Sequence, residues 1–330
     1  MIRRRASLIG AVATALPFAR VAFSATAPAK VFRVGVLESE QETDEFGWRE
    51  FVAELSRLGF AEGQNVVFIR RVGERLRPKL LNGLSDELVA LNVDVIYVAS
   101  GLAAARAAMT STKVIPIVFF SATDPVGMGL VTSLAKPGGN VTGQTASAID
   151  YLPKALEFLS EAIGKPNARI VEIQPTGERA STTFDRLSAA MSTAADRLKV
   201  KFAYADVASV EEVPPLVKRL ASEGTNALCV SSYPMFYPDL ERISKLLIEY
   251  RLPSIGSPNR GFLLDYSADY RALLHNAARY VAKVLRGVKP YDMPVEMASR
   301  FNLVINLKTA RAISLKIPNS LLARADDLIE

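Results

Sequence analysis

Histidine and cysteine are nearly absent: the 330 residues hold one of each, His275 and Cys229. One histidine and one cysteine exclude the spaced zinc motifs and any internal disulfide. A Ser-His-Asp or Cys-His relay would have to use His275, which sits beside Leu274 in a segment of helical periodicity and reads as structural. Cys229 lies in the apolar run Ala227-Leu228-Cys229-Val230 and reads as a small buried hydrophobe. The G-x-S-x-G nucleophile elbow and the Walker sequence are missing. Gly127-x-Gly129 opens like a dinucleotide fingerprint, but position 132 is Thr and the glycines fall at an expected helix start. The chain therefore reads as a protein without catalysis, with no cofactor and no metal expected.

A concentrated excess of one charge is missing as well. The chain carries 40 Lys and Arg against 34 Asp and Glu, a net of +6. Arg3, Arg4, Arg5 and Arg20 lie in residues 1–29, which hold no acid, so the remainder balances at 36 against 34, a net of +2. No basic run of the kind a nucleic-acid face needs is left, and no nucleic-acid partner is expected. Long apolar runs are also missing. Residues 6–18 are almost wholly apolar but fall short of the ~20 residues that span a bilayer. Between Arg3–Arg5 and Ala27-Pro28-Ala29 they have the layout of a secretory signal occupying 1–29, and the length argues against a retained anchor. No cysteine stands near the cleavage point to carry a lipid. The expected product is exported and soluble, free in the periplasm of a Gram-negative cell, with no stable membrane insertion after cleavage.

What is present is a strand–helix alternation that runs through the rest of the chain. Apolar runs predict strands at 34–37, 66–69, 93–98 and 115–120. Between the first two, Trp48, Phe51, Val52, Leu55 and Leu58 fall on one helical face, which Gly59 ends. A second helix is predicted over 80–91 and a third opens at Ser100-Gly101. The cluster Lys136-Pro137-Gly138-Gly139-Asn140 punctuates the middle, and the pattern then restarts. Strands are predicted at 170–173, 202–207 and 227–230, with Phe184, Leu187, Met191, Ala194 and Leu198 on one helix face. Ser209 and Glu212 have capping-box spacing, and a late helix is predicted over 270–285. Strands this apolar, separated by helices, predict parallel sheets covered on both faces. Some 300 residues exceed what one core usually serves, so two α/β domains are expected.

In such sheets ligands bind at the C-terminal strand ends, beside helix N-termini. Glu38 and Ser39 follow the first strand, Ser100 and Gly101 the third, and Ser121, Thr123 and Asp124 the fourth. Gln174 follows a strand of the second unit, and Ser231, Ser232 and Tyr233 follow another. Each has a plainer reading. Asp124-Pro125 is an N-cap followed by proline at the first helical position, with or without a ligand contact. The serines serve equally as caps or turn residues. Glu38 stands with Glu40, Glu42, Asp44 and Glu45 in a segment that reads as a solvated acidic rim, and alternatively as an attractor of a substrate amine. Tyr233, Phe236, Tyr237 and Tyr266 can stack on a flat substrate or simply pack.

Several longer stretches resemble a known family. They are 54–66 (ELSRLGFAEGQNV), 115–119 leading to Asp124-Pro125-Val126-Gly127, and 135–143 (AKPGGNVTG). Near the C-terminus they are 301–310 (FNLVINLKTA) and Ile317-Pro318 leading to 322–326 (LARAD). In this combination, covering nearly the whole chain after residue 30, the sequence resembles ABC-transporter substrate-binding proteins of the tryptophan/tyrosine-importer-like group. The resemblance implies a type I periplasmic-binding-protein fold: two doubly wound parallel-sheet lobes joined by a hinge, with three crossing segments and a ligand in the cleft. The N-terminal lobe is expected to take 30–145 plus about 262–295, and the C-terminal lobe 146–261 plus about 296–330. The implied partners are a small-molecule ligand, an amino acid or related compound first, and an ABC permease with its ATPase. The alternative is an exported ligand-sensing module for a membrane receptor. The chain departs from the group where relatives read Gly-Leu-Met-Ser-Tyr-Gly and it reads Phe262-Leu263-Leu264-Asp265-Tyr266-Ser267. That stretch is expected to face the cleft, which adds Asp265 and Tyr266 to the candidate site and keeps ligand identity from being carried over.

Overall fold

The computed structural model describes residues 30–38, 45–73, 79–100, 102–122, 124–180, 182–230 and 233–330. The expected signal at 1–29 lies outside these residues, as do Ser39, Gly101, Thr123, Ser231 and Ser232. In chain order the first half holds β1 (Phe32–Glu38), α1 (Glu45–Arg57), β2 (Val66–Val72), α2 (Leu80–Ala90), β3 (Val95–Ser100), α3 (Leu102–Ser111), β4 (Ile117–Ala122) and β5 (Val141–Thr145). Then come α4 (Ala148–Ile163), β6 (Arg169–Pro175), α5 (Thr182–Leu198), β7 (Lys201–Val207), α6 (Val213–Ser222), β8 (Ala227–Val230) and α7 (Leu240–Glu249). The last part holds β9 (Ser254–Ile255), β10 (Leu264–Ala268), α8 (Tyr270–Leu285), β11 (Glu296–Met297), β12 (Phe301–Asn306), α9 (Leu307–Ala312), α10 (Asn319–Leu322) and β13 (Asp327–Ile329).

The strands form two sheets. The first runs β11-β5-β4-β3-β1-β2, parallel throughout. Its interior strands are buried on both faces, which is why they read as apolar runs without alternation. Val34, Val36 and Tyr97 point to the side covered by α1 and α8, where the Phe51 and Tyr97 rings stack 4.3 Å apart. Leu37, Ile96 and Val98 point to the side of α2 and α3. Burying a side chain such as Phe51 contributes roughly 1.5–3 kcal/mol. α1 ends as its sequence dictates: Gly59 takes φ +92°, and the N–H of Phe60 reaches back to the Leu55 carbonyl.

The second sheet runs β13-β12-β10-β9-β8-β6-β7. It is parallel except at β10–β12, which pair antiparallel. α4 and α5 cover one face over Ile170 and Cys229, and α6 and α7 cover the other over Val171 and Ile173. These are the two doubly wound lobes of a type I periplasmic-binding-protein fold. The chain passes between the sheets three times: after β5, between β10 and α8, and between β11 and β12. The crossings hold one another, since the N–H of Asp269 donates to the Arg300 carbonyl (3.0 Å) and that of Ala298 to the Thr145 carbonyl (2.7 Å).

Four local expectations need correction. β10 hydrogen-bonds to β12 and β9, so 264–268 belong to the second sheet and the return to the first lobe falls at Asp269 rather than near 262. β11 pairs with β5, which moves the last crossing to about 298–300. The segment after Asp124 is one turn and not a helix, because Gly129 adopts φ +71°. The reciprocal box at Ser209 does not form: Glu212 accepts from the N–H of Ala208 (2.8 Å), and the Ser209 hydroxyl donates to Glu211.

Candidate functional site

A cavity of about 590 Å³ lies between the lobes. Its first-lobe wall is Leu102 and Arg106 of α3 with Gly127 and Met128 of the turn after Asp124. Its second-lobe wall is built by Tyr151, Leu152 and Ala155 of α4, by Glu178, Phe184, Leu187 and Tyr233, and by Asp265, Tyr266 and Ser267 of β10. Tyr151 comes here because α4 begins three residues after β5, so its first turn stands at the crossing. Tyr266 is fixed by rings: Phe158 meets it edge-on with centroids 4.9 Å apart, and Phe301 stacks at 5.7 Å.

The charge on the second-lobe wall is acidic. Asp265 accepts a hydrogen bond from the Ser267 hydroxyl (2.6 Å), yet burial outweighs that bond and raises its carboxyl to about 6. Burial also raises the carboxyl of Glu178. Burial, with Asp265 nearby, pushes the Tyr151 phenol up to about 12. The Tyr233 phenol is raised by burial and by Glu172 and Glu178. These phenols stay protonated and can donate as well as accept.

Of the expected site residues, the structure brings Tyr233, Asp265 and Tyr266 to the cavity wall. The remaining described ones are elsewhere. Glu38 is fully buried and pairs with Arg70 (2.6 Å), whose guanidinium lies 4.5 Å over the Trp48 ring. Gln174 is fully buried, its amide donating to Asp206 (2.7 Å), which also holds Arg179 (2.7 Å). Asp124 is 7% exposed: one carboxyl oxygen accepts from the N–H of Gly127 (3.0 Å), and the other meets Arg186 of α5 at 2.7 Å across the cleft. A Cβ at Gly127 would stand 2.3 Å from that carboxylate, so this approach needs glycine. Ser100 is buried at the end of β3 and Ser121 is exposed on β4, neither on the wall. Phe236 is buried in the core under α6 and α7, and Tyr237 is exposed.

Sequence reasoning passed over Arg106, Tyr151, Glu178 and Phe184. Phe184 carried a signal, but its helical spacing read as core; its ring is half-buried, 4.9 Å from that of Tyr204. The other three follow no strand-end pattern. His275 stands away from the cleft, with Nε2 2.9 Å from Glu50, joining α8 to α1. That hydrogen bond, with Arg271 nearby, lowers the Glu50 carboxyl. Cys229 is buried, and burial raises its thiol well above the usual range. Among the described residues no group of three or more His, Cys, Asp or Glu can hold a metal ion. No helix among them is long and apolar enough to cross a membrane.

Comparison with known proteins bears on the cleft. A family model described as ABC transporter substrate binding protein matches residues 53–329. The chain is 29% identical over 279 residues to a tyrosine-binding protein of Clostridioides difficile strain R20291, covering 81% of this chain and 76% of that one. Among solved structures, a conserved domain protein of Vibrio cholerae superposes with a TM-score of 0.79 at 24% identity, over 91% of this chain and 100% of that one. A Streptococcus pneumonia ABC domain in complex with L-Trp superposes with a TM-score of 0.77 at 22% identity, over the same shares.

Proposed function

Because the chain belongs to the ABC transporter substrate binding protein family, we propose that it is the exported solute receptor of an ABC importer, holding one small molecule between its lobes and presenting it to the permease and its ATPase. The observation that carries this reading is the cavity of about 590 Å³ walled by both lobes, between which the chain crosses three times. Its size suits a compact organic molecule. The aromatic rings of Tyr151, Phe184, Tyr233 and Tyr266 suit a flat or apolar body, and an amino acid or related compound comes first. The names of the tyrosine-binding relative and of the L-Trp complex support that order.

Ligand contacts from both walls favour the closed arrangement, and the crossings are the hinge about which it opens. The work of the cleft is binding, a reading that membership in a substrate-binding family supports. The segment 1–29 directs export and is removed, leaving the rest in the periplasm.

A thermal-shift screen of residues 30–330, refolded to strip carried-over ligand, tests this reading. The panel is amino acids, short organic acids, amines, purines and sugars. A ligand at about 100 times its Kd adds roughly 2.7 kcal/mol, a rise of several degrees in Tm. One chemical class should give that rise without being consumed. A panel with no shift, or a ligand converted to product, overturns the importer reading.

A further inference from the structure

Three acids at the ligand-facing edges of the two sheets are each held by an arginine. Glu38 holds Arg70, Asp124 holds Arg186 and Asp206 holds Arg179, each at 2.6–2.7 Å. Asp265 lies at the same edge of the second sheet and makes no ion pair; its hydrogen bond comes from Ser267. An ionised carboxylate withdrawn from water without a cation is costly, and proteins seldom leave one so. This one faces a cavity large enough for a ligand, beside the rings of Tyr151 and Tyr266.

Among the described residues, the elements packed on β10 supply no cation. α4 packs against β10 and presents Tyr151, while its Lys154 is held by Glu157 at 2.6 Å. β9 and β12 carry no titratable side chain. Glu178 shares the cavity wall and adds to the negative potential, and Arg106 stands on the opposite lobe.

Resting on the reading of the cleft as a receptor for a flat, amino-acid-like ligand, we infer that Asp265 is the specificity-determining residue that pairs with a protonated amine on that ligand. The ring lies among the aromatic side chains, whose faces also attract a cation. The ammonium then completes at Asp265 the ion pair that arginine completes at Glu38, Asp124 and Asp206. The amine can belong to an amine or to an amino acid; a molecule with the same ring and no amine is refused.

The test uses isothermal titration of the full-length protein after signal removal with two matched sets. The first is tyramine, L-tyrosine and 3-(4-hydroxyphenyl)propionate; the second is tryptamine, L-tryptophan and indole-3-propionate. Amine-bearing members of at least one set should bind, and the propionates should not. Asp265→Asn keeps the shape and removes the charge, so it should weaken amine binding about 10- to 100-fold. A second readout does not depend on that variant folding. Affinity of the unaltered protein for an amine-bearing ligand should rise as pH increases from 5 to 7, because Asp265 ionises near 6 while the amine stays charged.

Propionates binding as tightly as their amine-bearing partners would overturn the inference, as would unchanged affinity in Asp265→Asn. A pH dependence kept in Asp265→Asn and lost in Glu178→Gln assigns the amine to Glu178 and overturns it too. Binding by no member of either set also overturns it. The importer reading survives all of these if the wider screen finds another class of ligand.

Discussion

A carboxyl raised to about 6 has a consequence for folding that is separate from binding. Asp265 holds its proton more firmly in the folded chain than an ordinary aspartate does. Between the usual range near 3.9 and about 6, the folded protein therefore binds more protons than the unfolded one, and stability falls as pH rises through that window. The full effect is at most about 3 kcal/mol above pH 6, less whatever water in the cleft relieves. Asp265→Asn should raise the urea midpoint of the ligand-free protein at pH 7.5 and leave it nearly unchanged at pH 3.5. An equal midpoint at both values would show that the carboxyl sits in better-hydrated surroundings. Asp265 and Tyr266 were legible in the sequence through the departure from related chains, and Tyr233 as an aromatic following a predicted strand. Arg106 and Glu178 were not, because what makes a wall of them is the facing of one lobe by the other. Tyr151 was not, because the crossing after β5 that brings the start of α4 there emerged only with the sheets. Glu38 and Gln174 misled for a related reason: a polar residue at a strand end faces a ligand or an internal partner, and the partner is set by a distant strand.

At the scale of elements, long periodic segments were legible and short ones were not. α8 was predicted with both its limits, because Asp269 caps it and its buried face repeats through Leu274, Ala277, Ala278 and Val281. The Asp269 side chain accepts from the N–H of Ala272 (3.0 Å), so Asp269→Ala should lower stability by about 1 kcal/mol in urea unfolding. Leu274→Ala in the core under α1 should lower it by about 2–5 kcal/mol. A loss below 1 kcal/mol there would mean that the core collapses around the gap. β9 and β11, two residues each, are too short to carry any period, and β10 and β12 were missed as a pair because only their antiparallel contact defines them. The turn after Asp124 read as a helix because the cap and Pro125 are present while the breaker, Gly129, comes only four residues later.

At the scale of the whole molecule, the two-lobed plan was legible from the restart of the alternation, whereas the crossing points emerged only with the sheets. Across the cleft, Arg186 of α5 reaches Asp124 in the first lobe. An exposed pair contributes little, but Asp124 is buried, so removing its partner leaves a carboxylate answered by the Gly127 N–H. Arg186→Ala should shift the free protein toward the open arrangement. Small-angle scattering should then report a larger radius of gyration without ligand and an unchanged one with saturating ligand. No change in the free protein would assign closure to the rest of the cleft.

The interleaving of the lobes also sets an order of assembly. α8, which covers one face of the first sheet, and β11 at its edge come from residues 270–297, after nearly all of the second lobe has been made. The second sheet in turn waits for β13, at Asp327–Ile329. Neither half can reach its final core before these late segments are made, so the nascent chain stays unfinished until β13 emerges. A chain stopped at residue 326 loses the edge strand of the second sheet.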